Sequence, residues 1–178
     1  MEKGSIPSLT TVGIMSFRDL VYHGIHNNVK NVVIDLINRE QEGEQIDCVF
    51  LKNILNIFLE IDMDGIDFYK NDFEAPMLED TGTYYSRRTS LWISEHSCPD
   101  YMLKAEGCPR RDKERVCHYF HCSSEHKLLE KVQKEILSSY QTQLLENEYS
   151  GCHVLFMGDK KEDLSRMYGL FCGIPKGL

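Results

Sequence analysis

Residues 16–37 read SFRDLVYHGIHNNVKNVVIDLI. In this stretch Phe17, Leu20, Val21, Ile25, Val29, Val32, Val33, Leu36 and Ile37 recur at steps of three and four, the spacing that gathers side chains on one face of a helix. Gly43 then supplies a C-terminal stop. Upstream, MEKGSIPSLTTVG has Gly, Pro, Ser and Thr but no apolar period, so residues 1–15 are expected to be a lead-in loop. Downstream, Asp47 can N-cap a second helix whose stripe is Phe50, Leu51, Ile54, Leu55, Phe58 and Ile61, ending in DMDG. A third segment, roughly 67–95, repeats the period through Tyr69, Phe73, Met77, Thr81, Tyr84, Leu91 and Trp92. Pro99 fits the first turn of a fourth helix, where a missing N–H costs nothing, and Asp100 favours the same end of the dipole; this helix should run to about His121. Ser123 or Ser124 caps a fifth helix carrying Leu128, Val132, Ile136, Tyr140, Leu144 and Leu145, which Gly151 closes. GDKKEDLSRMYGLF restarts the pattern with Asp159 as a cap. Nothing alternates with period two over a useful length, so strands are not expected. The predicted fold is all-α: a bundle of five long amphipathic helices over 16–151, and the start of a sixth within 152–178.

A chain of 178 residues is long enough to bury a sizeable core. Its 20 bases against 28 acids give a net charge of −8, and no stretch strings five or six basic residues together. Nucleic acid and anionic membrane are therefore poor partners. Seven cysteines is an odd count, and no charged segment followed by an apolar core opens the chain, which argues against a secreted disulfide framework. A reducing cytosol or nucleus is the expected setting. No apolar run approaches the length of a membrane span.

Three stretches carry candidate chemistry. In CHYFHC (117–122), the pairs Cys117/His121 and His118/Cys122 are each four apart, but on a helix the two pairs point about 100° from each other. One helix thus offers two ligands where a structural zinc needs four; of the further Cys and His residues nearby at Cys98, Cys108, His126 and His153, Cys108 and His126 could complete a site only if the fold brought them in. The plainer reading places Val116, Tyr119 and Phe120 in the core and the Cys and His residues on the helix flank. A Cys–His nucleophile is the second option, yet Cys117 and His118 are adjacent and splay apart, and no Gly-rich turn offers an oxyanion hole. EIDMDGIDFYKN (60–71) mimics the start of a calcium loop with Glu60, Asp62, Asp64 and Gly65. It fails where position twelve is Asn71 and position eight is Asp67, and a polar turn between helices accounts for the same residues. RRDKER (110–115) mixes both signs and reads as a solvated helix face. No catalytic residue, metal ligand or cofactor is assigned.

Several longer strings occur in order: NVVIDLINREQEGEQID, DFEAPMLEDTGTYYSRRTSLWI, SCPDYMLKAE, SSEHKLLEKVQKEIL and DLSRMY. Together they resemble the cullins, the scaffold subunits of RING-type ubiquitin ligases, and within them the plant cullins that serve F-box ligases. The resemblance runs from about residue 8 onward. It implies the second cullin repeat, a five-helix bundle of the N-terminal stalk, followed by the opening helix of the third. It implies a non-catalytic role that works through rigidity, length and binding to proteins, such as ligase components. A stand-alone helical module that no longer assembles a ligase is the alternative, and a thiol or metal enzyme a distant third.

The same resemblance would place the adaptor-docking repeat before residue 1 and the RING-binding domain after Leu178, so a truncated cullin-like protein is expected. It lends no support to a metal, because Cys48, Cys117 and Cys122 stand where the family carries other residue types. Pro76 in the third helix and Pro109 in the fourth also depart from the family, each unfavourable by about 3 kcal/mol in a helix interior; Gly82 and Gly107 add about 1 kcal/mol apiece. A kink or break is predicted within the turn before Pro76. Gly169, Gly173 and Pro175 should similarly weaken the last helix.

Overall fold

The computed structural model describes residues 7–63 and 65–172. The chain passes through α1 (Leu9–Phe17), a π-helical turn (Arg18–Tyr22), α2 (His23–Gln41), α3 (Cys48–Glu60) and a second π-helical turn (Tyr69–Glu74). It continues through α4 (Ala75–Glu95), α5 (Cys98–His118), a 3₁₀ turn (Cys122–Ser124), α6 (Glu125–Ile136), a 3₁₀ turn (Ser138–Tyr140), α7 (Gln141–Leu145), α8 (Cys152–Met157) and α9 (Lys161–Phe171). The described residues contain no strand, in accord with the all-α expectation. They form two compact units: one gathers residues up to Met77 together with His118–Phe120, the other Leu78–Cys117 and the residues from His121 onward.

In the first unit, helix begins earlier than expected. Ser8 caps α1 by accepting the Thr11 amide at 3.1 Å, so the lead-in loop of residues 1–15 is corrected from Leu9 onward; residues 1–6 lie outside the described ones. Helix α1 buries no side chain, and a helix without a packed face has nothing to impose an apolar period. The stripe over 16–37 is also redrawn. Tyr22, Val33 and Ile37 are buried, whereas Leu20, Ile25 and Val32 are exposed, because the π turn adds one residue to the helical phase. Gly43 does end α2: at φ 97° it closes a Schellman motif with Gly43 N–H to Glu40 O (3.0 Å) and Glu44 N–H to Arg39 O (3.0 Å). Asp47 caps α3 through its Oδ1 and the Phe50 amide at 2.8 Å. Leu51, Leu55, Phe58 and Ile61 fill the core behind it, while Phe50 is exposed.

The core of this unit is aromatic. Phe73 is fully enclosed, with ring centroids at 5.9 Å from Phe58, 5.5 Å from Tyr69 and 5.9 Å from Phe120. Tyr22 packs edge-on against Phe58 and Phe68 at 5.7 and 5.6 Å and donates its hydroxyl to Asp72 at 2.6 Å. That bond joins one π turn to the other. Burial and the Asp72 carboxylate push the Tyr22 hydroxyl far above the usual tyrosine range.

The π turn before Pro76 replaces the expected break. Ala75 donates to Lys70 O, a step of five in place of four, and the widened turn makes room for the proline ring, so Pro76 enters α4 as its second residue. Pro109 has no such relief and lies inside α5. The two prolines should therefore respond differently to replacement by Ala. Pro109→Ala is expected to raise stability by about 2 kcal/mol. Pro76→Ala should change it by less than about 1 kcal/mol, since returning to the α register would rotate the buried Tyr69 and Phe73. Urea midpoints of the two variants check both values.

In the second unit α4 buries Thr81, Tyr85, Thr89 and Trp92, at steps of four, four and three, in place of the expected Tyr84 and Leu91, the latter exposed. Trp92 meets Tyr101 edge-on at 6.1 Å. A Cβ at Gly82 would meet only the flexible end of the Lys131 side chain, and Gly107 and Gly169 face open space, so none of the three is required by its surroundings; Gly173 and Pro175 fall outside the described residues.

The helix expected over 123–151 stops at Ile136, as α6. The Tyr101 hydroxyl donates to Ile136 O at 2.6 Å and Ser139 Oγ to Lys134 O at 3.1 Å, satisfying carbonyls that a longer helix would have used. Gly151 opens α8 and does not close the helix before it; a Cβ would lie 2.7 Å from the Leu145 carbonyl oxygen. Asp159, the expected cap of a sixth helix, instead occupies a left-handed turn at φ 51°, and Lys160 precedes α9. Met102, Leu155 and Met167 join α5, α8 and α9 in one apolar cluster.

Candidate interaction surface

CHYFHC is a helix end. Helix α5 stops at His118, Tyr119 and Phe120 are buried, and Cys117, His118 and Cys122 are exposed. His121 Nδ1 lies 2.8 Å from Ser123 Oγ and accepts the Ser123 amide at 3.3 Å. The Ser–His contact is one a hydrolase would use, but it spans two residues and opens the 3₁₀ turn as a local cap. The other candidates are scattered. His126 pairs with Glu130 at 3.8 Å on the exposed side of α6, and His153 is exposed on α8. Cys98 and Cys108 are buried, donating to Leu144 O (3.2 Å) and Lys104 O (3.4 Å). Burial pushes both thiols above the usual cysteine range, which disfavours the thiolate a nucleophile or ligand needs. Among the described residues, no three His, Cys, Asp or Glu side chains converge on one point.

The calcium-like stretch is a capping turn. The Asp62 carboxylate accepts the Asp67 amide, and a Cβ on Gly65 would sit 2.7 Å from that carboxylate. Asp64 lies outside the described residues.

RRDKER is not wholly solvated. Asp112 and Arg115, three apart on α5, turn inward together: Asp112 Oδ1 accepts Arg115 Nη1 at 2.6 Å and its Oδ2 accepts the Tyr85 hydroxyl at 2.6 Å. Asp112 is 1% exposed and Arg115 6%. Only the partners explain this, because a charge enters a core when it is paired and hydrogen-bonded there. Arg110, Arg111, Lys113 and Glu114 do face solvent. Burial pushes the Asp112 carboxyl above the ordinary carboxylate range, against the pull of Arg115, Tyr85 and Arg111.

What remains for function is surface. The α1–α2 run exposes Leu9, Val12, Met15, Phe17, Leu20, Val21, Ile25 and Val32, and α8 and α9 expose Phe156, Met157 and Tyr168. Between α4 and α6 runs an open polar groove with Gly82, Ser86 and Ser90 on one wall and Lys131 and Glu135 on the other. None of the described helices is long and apolar enough to cross a membrane. Exposed apolar faces of this extent are the kind of surface that other macromolecules cover.

Comparison with known proteins agrees with that character. A family model described as the cullin alpha solenoid domain matches residues 1–178. Cullin-1 of Oryza sativa subsp. japonica is 58% identical over the whole chain, and Cullin-2 of Arabidopsis thaliana is 49% identical over 99% of it; in each case the chain spans 24% of the relative's length. Putative cullin-like protein 2 of Arabidopsis thaliana is 51% identical over 99% of the chain, which spans 47% of that protein.

Proposed function

The chain belongs to the cullin family, and from that premise we propose that it is a non-catalytic helical scaffold segment acting by protein binding in a RING-type, SCF-like ubiquitin ligase pathway. The observation that carries this reading is the match of one stacked-repeat family model across the whole chain. The dispersal of its Cys and His residues over separate helices and turns supports it. Residues 16–151 are assigned to the second cullin repeat and 152–178 to the beginning of the third. Its partners are proteins, among them ligase components, and its setting is the cytoplasm or nucleus. Residues 1–178 do not by themselves bridge an F-box adaptor to a RING subunit.

A ligase assay with this chain in place of a full-length cullin should therefore give no substrate ubiquitination above the reaction without cullin. Activity above that level would defeat the assignment. A second reading, a helical module detached from any ligase, is favoured by the equally strong match to a cullin-like protein of about half the usual relative length. Co-purification of the tagged chain with identification of bound ligase subunits decides between the two.

A further inference from the structure

Residues 87–91 read RRTSL. Two arginines three and two places ahead of a serine, with an apolar residue just after it, form the charge pattern that an arginine-directed protein kinase reads. Carboxylates of such an enzyme take the guanidiniums, and an apolar pocket takes the leucine. Arg87 and Ser90 are exposed on α4, and Leu91 is 58% exposed. Arg88 lies 5.7 Å from the ring centroids of both Tyr84 and Trp92, so it reaches an enzyme only when this part of the helix opens. The helix is prepared for that. Thr89 Oγ1 donates to Tyr85 O, Ser90 Oγ to Ser86 O and Ser94 Oγ to Leu91 O, each at 2.8 Å, hydroxyls that compete for carbonyls of their own helix. Such a stretch opens locally at less cost than a run of good helix formers.

We propose that Ser90 is a phosphorylation site for an arginine-directed serine/threonine kinase, and that the phosphate unties the turn after α6 from α4. In the step, Ser90 Oγ loses its proton and attacks the γ-phosphorus of ATP; an Oγ–P bond forms, the bond from that phosphorus to the bridging oxygen breaks, and ADP leaves. Ser90 Oγ and the Tyr140 hydroxyl are 2.6 Å apart, and Tyr140 ends the 3₁₀ turn Ser138–Tyr140. The Ser90 proton serves Ser86 O, so Tyr140 is the donor in that bond. A phosphoryl group on Oγ displaces the phenol and adds a charge of about −2 to a groove that Glu135 also lines. Arg87, three residues back on the same side of α4, is the cation placed to pair with it. The site is independent of the ligase reading and survives its failure.

Incubating the 178-residue chain with ATP, magnesium and the catalytic subunit of cyclic-AMP-dependent protein kinase tests the site. Intact mass should show one added phosphoryl group, which peptide fragmentation places on Ser90. Ser90→Ala should take none, and Arg87→Ala should react at least about tenfold more slowly, the loss expected for one charge-assisted hydrogen bond. Circular dichroism of both unmodified variants should match the wild type. Amide hydrogen exchange should then accelerate across residues 137–145 in the phosphorylated chain, and Tyr140→Phe, which lacks the donor, should show part of that acceleration without phosphate. A folded chain that stays unmodified while a control peptide substrate is consumed, or a phosphoryl group on another residue, would overturn the site. Unchanged exchange after modification would overturn the untying.

Discussion

Replacing Arg115 with Met should lower the unfolding free energy by about 3–5 kcal/mol, the range expected when one partner of a buried ion pair is removed and the other charge stays buried. Met keeps much of the volume, so the loss reports the stranded Asp112 and not a cavity. The pairing is not itself a large source of stability, because stripping water from both ions offsets most of their attraction. The triple variant Arg115→Met, Asp112→Leu, Tyr85→Phe should accordingly recover most of what the single variant loses. A triple variant less stable than the single one would show that the polar cluster contributes net stability. Urea midpoints at constant slope measure all of these.

The same cluster fixes the sign of a pH effect. Burial raises the Asp112 carboxyl in the folded protein, so the fold holds that proton more tightly than the unfolded chain does. Its contribution is present in full below the unfolded carboxylate value of about 3.9 and is lost as pH rises through the higher folded value. Asp112→Asn, which cannot ionise, should lack that slope. The stability difference between wild type and Asp112→Asn should therefore shift against the wild type as pH rises from 4 towards neutrality, which urea titrations at several pH values read directly.

Phe73→Ala should cost a comparable 3–5 kcal/mol. Phe73 is 0% exposed and its ring touches those of Phe58, Tyr69 and Phe120. Removing it leaves a void that three flat rings on separate segments cannot close without leaving their rotamers. Phe73→Leu, which fills part of the space, should cost less than half as much. A loss below about 1 kcal/mol for Phe73→Ala would mean that the cluster collapses freely, contrary to close packing.

Most helices were legible because apolar spacing and caps are local properties. Asp47, Gly43 and Pro99 act as read from their chemistry alone, and the stripe Leu51, Leu55, Phe58, Ile61 follows the period. What escaped has a tertiary cause. Asp112 and Arg115 looked solvated because nothing within RRDKER marks Tyr85, 27 residues away, as their partner. The fifth helix looked continuous because its stop at Ile136 depends on a hydroxyl from Tyr101, 35 residues away. Helix α1 was missed for the opposite reason, since it packs against nothing that would pattern its sequence, although Ser8 before Leu9 was a readable cap. The exposed face of the α1–α2 run could have been suspected from excess: nine apolar positions over 16–37 are more than one buried stripe requires.

The two π turns, Arg18–Tyr22 and Tyr69–Glu74, have a consequence for how this chain tolerates changes in length. Each holds one residue more than an α-helix needs, so it acts as a store of a single insertion. Deleting one residue there, such as the solvent-facing Leu20, lets the turn relax to α geometry while everything after it keeps its phase. The same deletion within α5 would swing each later buried side chain of that helix by about 100°, carrying Asp112 and Val116 out of the core. The Tyr22–Asp72 bond makes the two stores interdependent, since shortening one turn moves the partner of the other.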